Sequence, residues 1–167
     1  MAHTVHLTLK GPDGQIEGES SQVDMGRENT IECVHLESGV TNPRTAGKGQ
    51  AAGKRQFAPL KIRKRIDKAS PMLMQALCHN TALEGVFQFF RPTTHGNMSK
   101  DSEEVFYTIS IGGAYVSDIK LVVPDTLDSP GASTAEAYED VSFTFDSIKW
   151  EHIPGKKDFQ DSWSGSH

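Results

Sequence analysis

Val5, Leu7 and Leu9 alternate with Thr4, His6 and Thr8, the period of two that a half-buried strand requires. Gly11-Pro12-Asp13-Gly14 ends that strand in a turn. A second apolar stretch, Ile31 to Leu36, changes phase between Ile31/Cys33 and Val34/Leu36, which predicts a bulge. From Leu60 a third strand carries Leu60, Ile62 and Ile66 on one parity. Lys61, Arg63 and Arg65 take the other face, and Lys64 breaks the pattern. Further strands are predicted at Val86 to Phe90, at Val105/Tyr107/Ile109/Ile111 and at Ile119/Leu121/Val123, with Gly112-Gly113 set for a tight hairpin between the last two. The last long strand runs from about Tyr138 to His152 and switches phase near Asp146-Ser147.

One helix interrupts this pattern. Ser70 is placed to cap free amides and Pro71 to occupy the first helical position, where a missing N–H costs nothing. Leu73, Ala76 and Leu77 form its apolar stripe, and it ends near His79-Asn80. So short a helix is marginal alone and must pack on a sheet. Thr41 to Gln56, with Pro43, Gly47, Gly49 and Gly53, is expected to be a flexible loop, and the tail from about 155 to 167 is expected to fray, with Phe159 and Trp163 as anchors. The expectation is one domain over residues 1–167, all-β in the main: an antiparallel β-barrel, closed to remove its edges, with the short helix packed at its side.

Composition narrows the function. The 167 residues are 36% hydrophobic and carry a formal net charge of −5, with no apolar run long enough to cross a bilayer and no secretory signal at Met1 to His6. Cys33 and Cys78 are read as buried free thiols. The seven histidines, 3, 6, 35, 79, 95, 152 and 167, form no ligand motif; His3 and His6 offer at most a weak terminal metal site. Gly47 to Arg55 looks superficially like a phosphate-binding loop but has Lys48 where the first glycine belongs and Arg55 where Ser or Thr should reach magnesium. Glu103-Glu104 and Glu136/Glu139 sit in polar connections, where solvated carboxylates are the default, so no catalytic residue and no cofactor is assigned.

The charge is segregated. From Ser38 to Ile66 there is no acidic residue, while Arg44, Lys48, Lys54, Arg55, Lys61, Arg63, Lys64 and Arg65 are all basic; the rest of the chain is strongly acidic. A nucleic-acid groove would interleave aromatics for stacking, and only Phe57 is present. Electrostatic self-complementarity between copies is the preferred reading. Its candidates for contact between copies are Arg44, Lys48, Lys54, Arg55, Lys61, Arg63 and Arg65.

The run Ile62 to Leu77, with its basic strand leading into Lys68-Ala69-Ser70-Pro71-Met72-Leu73, resembles the haemolysin-coregulated protein (Hcp) family. Val86-Phe87-Gln88-Phe89-Phe90-Arg91, Phe106-Tyr107-Thr108-Ile109, Gly113-Ala114-Tyr115-Val116 and Glu139 to His152 add to the resemblance, which spans about Thr4 to Trp163. It implies a non-enzymatic β-barrel protomer forming six-membered rings that stack as the inner tube of a type VI secretion machine. The implied partners are further copies of the chain, the sheath and spike or baseplate proteins, and small effectors in the lumen; neither nucleic acid nor membrane insertion is expected. Assembly in the cytoplasm and exit through the machine would account for the missing signal, and no appended toxin domain is expected. The alternative is a freestanding barrel that binds nucleic acid or sugar; an enzyme ranks third.

Overall fold

The computed structural model describes residues 3–93, 103–125, 127 and 136–164; His95, His167 and most of the polar stretch between Asp125 and Ala137 lie outside these. The elements are β1 (Thr4–Gly11), β2 (Gly14–Ile16), β3 (Ile31–Cys33), β4 (His35–Glu37), β5 (Val40–Thr41), β6 (Gln56–Phe57), β7 (Leu60–Arg65), α1 (Ala69–Cys78), β8 (Leu83–Pro92), β9 (Glu103–Val122), β10 (Tyr138–Thr144), β11 (Ser147–His152) and β12 (Lys157–Ser162). All ladders are antiparallel.

β9 joins the two halves of the main sheet. Up to Gly112–Ala114 it pairs with β8 and β11, and from Tyr115 onward with β10. Gly112-Gly113 therefore does not reverse the chain, contrary to the sequence expectation, but bends one twenty-residue strand. Gly113 has φ +55°, and a Cβ there would stand 2.5 Å from the Asp146 carboxylate, so the bend demands glycine. Opposite it, Asp146 N–H donates to Gly112 and Gly113 carbonyls at 3.0 and 3.2 Å where the chain passes from β10 to β11. The phase switch at Asp146-Ser147 is this crossing.

The sheet is not a closed barrel. Its path runs β2-β1-β8-β9-β10-β7-β4 and stops, while β5 and β6 form a separate two-stranded sheet. The reason lies in Ile31 to Glu37. β3 pairs with β1 and β4 with β7, and the chain changes partner at Val34, whose N–H donates to Arg63 O at 2.8 Å. Each piece is three residues long, and no ladder ties β3 to β7. The predicted bulge is thus a change of partner, and the sheet edge at β4 is short rather than abolished.

The core fills the space between the two halves. Leu7, Leu9, Phe87, Ile109 and Ile111 meet Leu60, Ile62, Val141 and Phe143, with Phe87 edge-on to Phe143 at 6.3 Å. α1 buries Ala69, Leu73 and Ala76 against this core, which is where so short a helix gets its stability. At its start two side chains cap reciprocally: Ser70 Oγ accepts from Asp67 N–H at 3.1 Å and Asp67 Oδ1 accepts from Ala69 N–H at 3.0 Å. Pro71 is the third helical residue rather than the first, still where an N–H would have no helical partner. Asn80 at φ +50° closes the other end, with Thr81 N–H donating to Ala76 O and Asn80 N–H to Leu77 O, a Schellman arrangement.

Two further expectations change. Cys33 is buried, and burial pushes its thiol far above the ordinary value, but Cys78 is exposed at the last turn of α1. The tail from 155 is not frayed over its described length: Lys157–Ser162 pairs with β11, and Trp163 packs against Phe145 at 4.8 Å. His6 is fully buried, so it cannot join the exposed His3 in a terminal metal site.

Candidate functional site: a basic hairpin arm

Residues Val40 to Phe57 form a hairpin arm instead of an irregular loop. Val40 pairs with Phe57 and Thr41 with Gln56; farther out, Arg44 bridges Ala51, Ala52 N–H donates to Pro43 O at 2.7 Å and Thr45 N–H to Gln50 O at 2.7 Å. The turn at the tip uses Gly47 at φ +80° and Gly49 at φ +67°, left-handed positions that other residues resist.

The base of the arm is fastened twice. The Arg55 guanidinium donates through Nε and one Nη to both carboxylate oxygens of Asp161 on β12, and this fork holds the Asp161 carboxyl below its usual range. Phe57 stacks on Trp150 and Trp163 at 6.2 and 6.0 Å and stands edge-on to Phe145 at 5.6 Å. Trp150 in turn stacks on Phe159 at 5.9 Å. Val40 and Phe159 at the rim of this aromatic base remain exposed, beside an open hollow of about 460 Å³.

The basic segment divides at this base. On β7, register sets Arg63 and Lys64 opposite Asp140 and Glu139 of β10 and Lys61 opposite Glu37 of β4, while Arg65 stands opposite Tyr138. Arg63 faces Asp140 across the ladder with β10 and donates to it at 2.9 Å, while lying 3.9 Å over the Tyr138 ring. Lys61 reaches the same carboxylate at 3.9 Å. The Arg63 hydrogen bond holds the Asp140 carboxyl below its usual range. Arg65 pairs with Glu136 at 2.8 Å and Glu32 at 3.6 Å. Lys64, the residue that broke the alternation, is fully buried and bound to Asp67 at 2.9 Å, Glu139 at 3.1 Å and Ser70 Oγ at 2.9 Å. Arg44, Lys48 and Lys54 on the arm make no ion pair among the described residues; Arg44 has only a long hydrogen bond, 3.4 Å, to Gly49 O.

Of the seven sequence candidates, the structure thus gathers Arg44, Lys48 and Lys54 on the arm and puts Arg55 at its root. Lys61, Arg63 and Arg65 lie on the body, each already beside a carboxylate. The partners Asp140 and Asp161 and the aromatic base were not singled out from sequence. Glu139-Asp140 could have been found by laying its alternation against that of Lys61 to Arg65; Asp161 had no such signal. Among the described residues no group of three or more His, Cys, Asp or Glu is placed to hold a metal ion.

Comparison with known proteins places this architecture. A family model described as "Type VI secretion system effector, Hcp" matches residues 6–152. The chain is 32% identical over 139 residues to the "Major exported protein" of Pseudomonas aeruginosa, covering 83% of this chain and 77% of that one. It is 24% identical to the protein YhhZ of Escherichia coli over 95% of its own length, which is 37% of YhhZ. Among solved structures, one described as an Hcp protein superposes with a TM-score of 0.84 at 23% identity, over 99% of this chain and 100% of that one. The Hcp1 protein of E. coli EAEC 042 gives 0.79 at 25% identity, over 97% and 99%. The chain belongs to the Hcp family, the structural, non-catalytic tube proteins of the type VI secretion system.

Proposed function

We propose that this chain is a ring-forming tube subunit, in which six copies close into a ring and rings stack into the inner tube of a type VI apparatus. The arm supports this reading most directly. It is fastened to the body by Arg55 and Phe57, yet it carries Arg44, Lys48 and Lys54 outward without partners among the described residues, on a chain whose net charge is −5. A cationic arm on an acidic body is self-complementary between copies. A lateral contact that closes by rotation gives the ring, and a second, face-to-face contact through the arm gives the stack. Sheath and spike proteins outside the tube and small effectors inside it complete the proposed set of partners. The subunits assemble in the cytoplasm and leave through the apparatus.

Native mass measurement of the purified protein tests ring closure; monomer alone across micromolar concentrations sinks it and favours the freestanding module. Electron microscopy of a Lys48→Glu/Lys54→Glu variant tests the arm. Intact hexamers with fewer and shorter tubes, most visibly at low salt, are expected; unchanged tubes take the arm out of the stacking contact, and loss of the hexamer puts it in the lateral one.

A further inference from the structure

The segment between β2 and β3 returns across the β1–β8 surface, and its hold on that surface is polar. Its own apolar side chains, Val23 and Met25, are 65% and 50% exposed and anchor nothing. Its two ends are tied to the segment before α1, Glu19 N–H donating to Asp67 at 3.3 Å and Lys68 to Asn29 Oδ1 at 3.2 Å, and three further contacts fasten it over the sheet. Arg27 lies 4.6 Å over the Phe90 ring and donates to Glu103 of β9 at 2.6 Å. Ser21 donates to Glu32 of β3 through N–H and hydroxyl at 3.1 and 2.8 Å. Ser20 and Thr30 meet His6 of β1, whose Nδ1 lies 3.3 Å from Ser20 Oγ and 3.0 Å from Thr30 Oγ1.

The third contact fixes the proton on the imidazole. Thr30 Oγ1 spends its hydrogen on Arg27 O at 2.6 Å, so it can only accept from His6, and Nδ1 must carry the proton. Nε2 is then a bare lone pair. It has no hydrogen-bond partner among the described residues, and the ring around it stands edge-on to Phe90 at 5.4 Å. A second proton at Nε2 would create a cation and an N–H donor, both buried and neither satisfied.

We propose that the strap from Gly18 to Thr30 is an acid-released cover, seated on the sheet while His6 is neutral and lifting when His6 gains its second proton. Burial and the nearby Arg27 oppose that proton, while Glu32, paired with His6 across the β1–β3 ladder, and Glu103 favour it. Both carboxylates are already engaged, Glu32 by Ser21 and Glu103 by Arg27, and Gln88, opposite on β8, is uncharged. Burial prevails, and the folded value lies below the ordinary 6.5. The seated state therefore binds fewer protons than the lifted one. Its stability is complete above pH 6.5 and is lost as pH falls from 6.5 through the lower seated value. Burial acts to raise the Glu32 carboxyl, but the Ser21 hydrogen bonds and the Arg65 charge outweigh it and hold it below the ordinary 4.5, so that fastening stays charged between pH 6.5 and 4.5.

Hydrogen exchange followed by mass spectrometry on the intact protein between pH 7.5 and 5.0, corrected for intrinsic rates, tests this. Residues 18–30 are expected to lose protection by up to roughly thirtyfold, the limit set by an ordinary histidine in the lifted state, while β8 and β9 keep theirs. His6→Gln, which cannot titrate, should make strap protection independent of pH. Should that variant fail to fold, the His6 ring signal of the wild type is followed by NMR instead. Titration near 6.5 with the strap still protected overturns the proposal, as does strap protection that is flat with pH, or a loss spread evenly over every element.

Discussion

Strand β7 and the arm that precedes it come from one basic segment, yet they treat its charge in opposite ways. β7 lies between β4 and β10, and register sets Arg63 opposite Asp140 and Lys64 opposite Glu139. The two strands of the arm pair only with each other, and beyond its fastened base Arg44, Lys48 and Lys54 make no ion pair among the described residues. A run of like charge in a sequence therefore does not mark a binding surface. The part that enters a ladder is neutralised by the opposite strand, and only the part that leaves the body remains available to another molecule.

The sharpest test of the β7 side is Lys64→Ala. It leaves Glu139 and Asp67 buried without their cation, and such a loss costs about 3–5 kcal/mol. Urea unfolding should show it, and Lys64→Met with Glu139→Gln should recover part. A change under about 1 kcal/mol would mean that the pair is open to water.

At the junction of the two regions, Phe57→Ala removes the ring that Trp150 and Trp163 stack upon. About 2 kcal/mol is expected for a half-buried phenylalanine. The loss should fall on the arm, read as faster exchange of residues 40–57 and a shifted tryptophan emission; equal loosening of β8 would show that arm and core unfold together.

Acid distinguishes the pairs that fasten the body from the arm's unpaired cations. Asp140 and Asp161 are held below the ordinary 3.8 by Arg63 and Arg55, so the stability they contribute is present above that value and is lost as pH falls through the lower folded one. Exchange at the arm base should rise below pH 3.8, and Arg55→Gln should erase that rise; an unchanged profile would show that the Arg55 fork does not hold the arm. The smallest effect belongs to Lys48→Glu/Lys54→Glu, whose unfolding free energy should stay within about 0.5 kcal/mol of the parent. A larger loss would mean that these lysines have partners on their own chain.

Local physics made much of this legible. The alternation at Thr4 to Leu9 and at Leu60 to Arg65, the switch at Asp146-Ser147 and the end of the helix at His79-Asn80 were all readable, because side-chain periodicity and αL-tolerant residues act over a few positions. The basic segment was also visible as a run. What could not be read was who stands opposite whom. Lys64 looked like a defect in a strand pattern until Glu139 and Asp67 were brought beside it. His6 looked like a solvent-facing residue until the segment from Gly18 to Thr30 covered it. Gly112-Gly113 has the composition of a tight turn, and only the pairing of β9 with β11 on one side of it and β10 on the other shows a bent continuous strand.

The expectation of a closed barrel failed for the same reason. Strand number and alternation are properties of the sequence, but closure requires one strand to hold two ladders at once. At Val34 the chain gives three residues to β1 and three to β7 instead. Residue type and order along the chain set which positions alternate and which charges exist. Tertiary structure alone decided which of those charges are spent within the fold, because pairing depends on partners more than seventy residues away, such as Arg63 with Asp140 and Lys64 with Glu139.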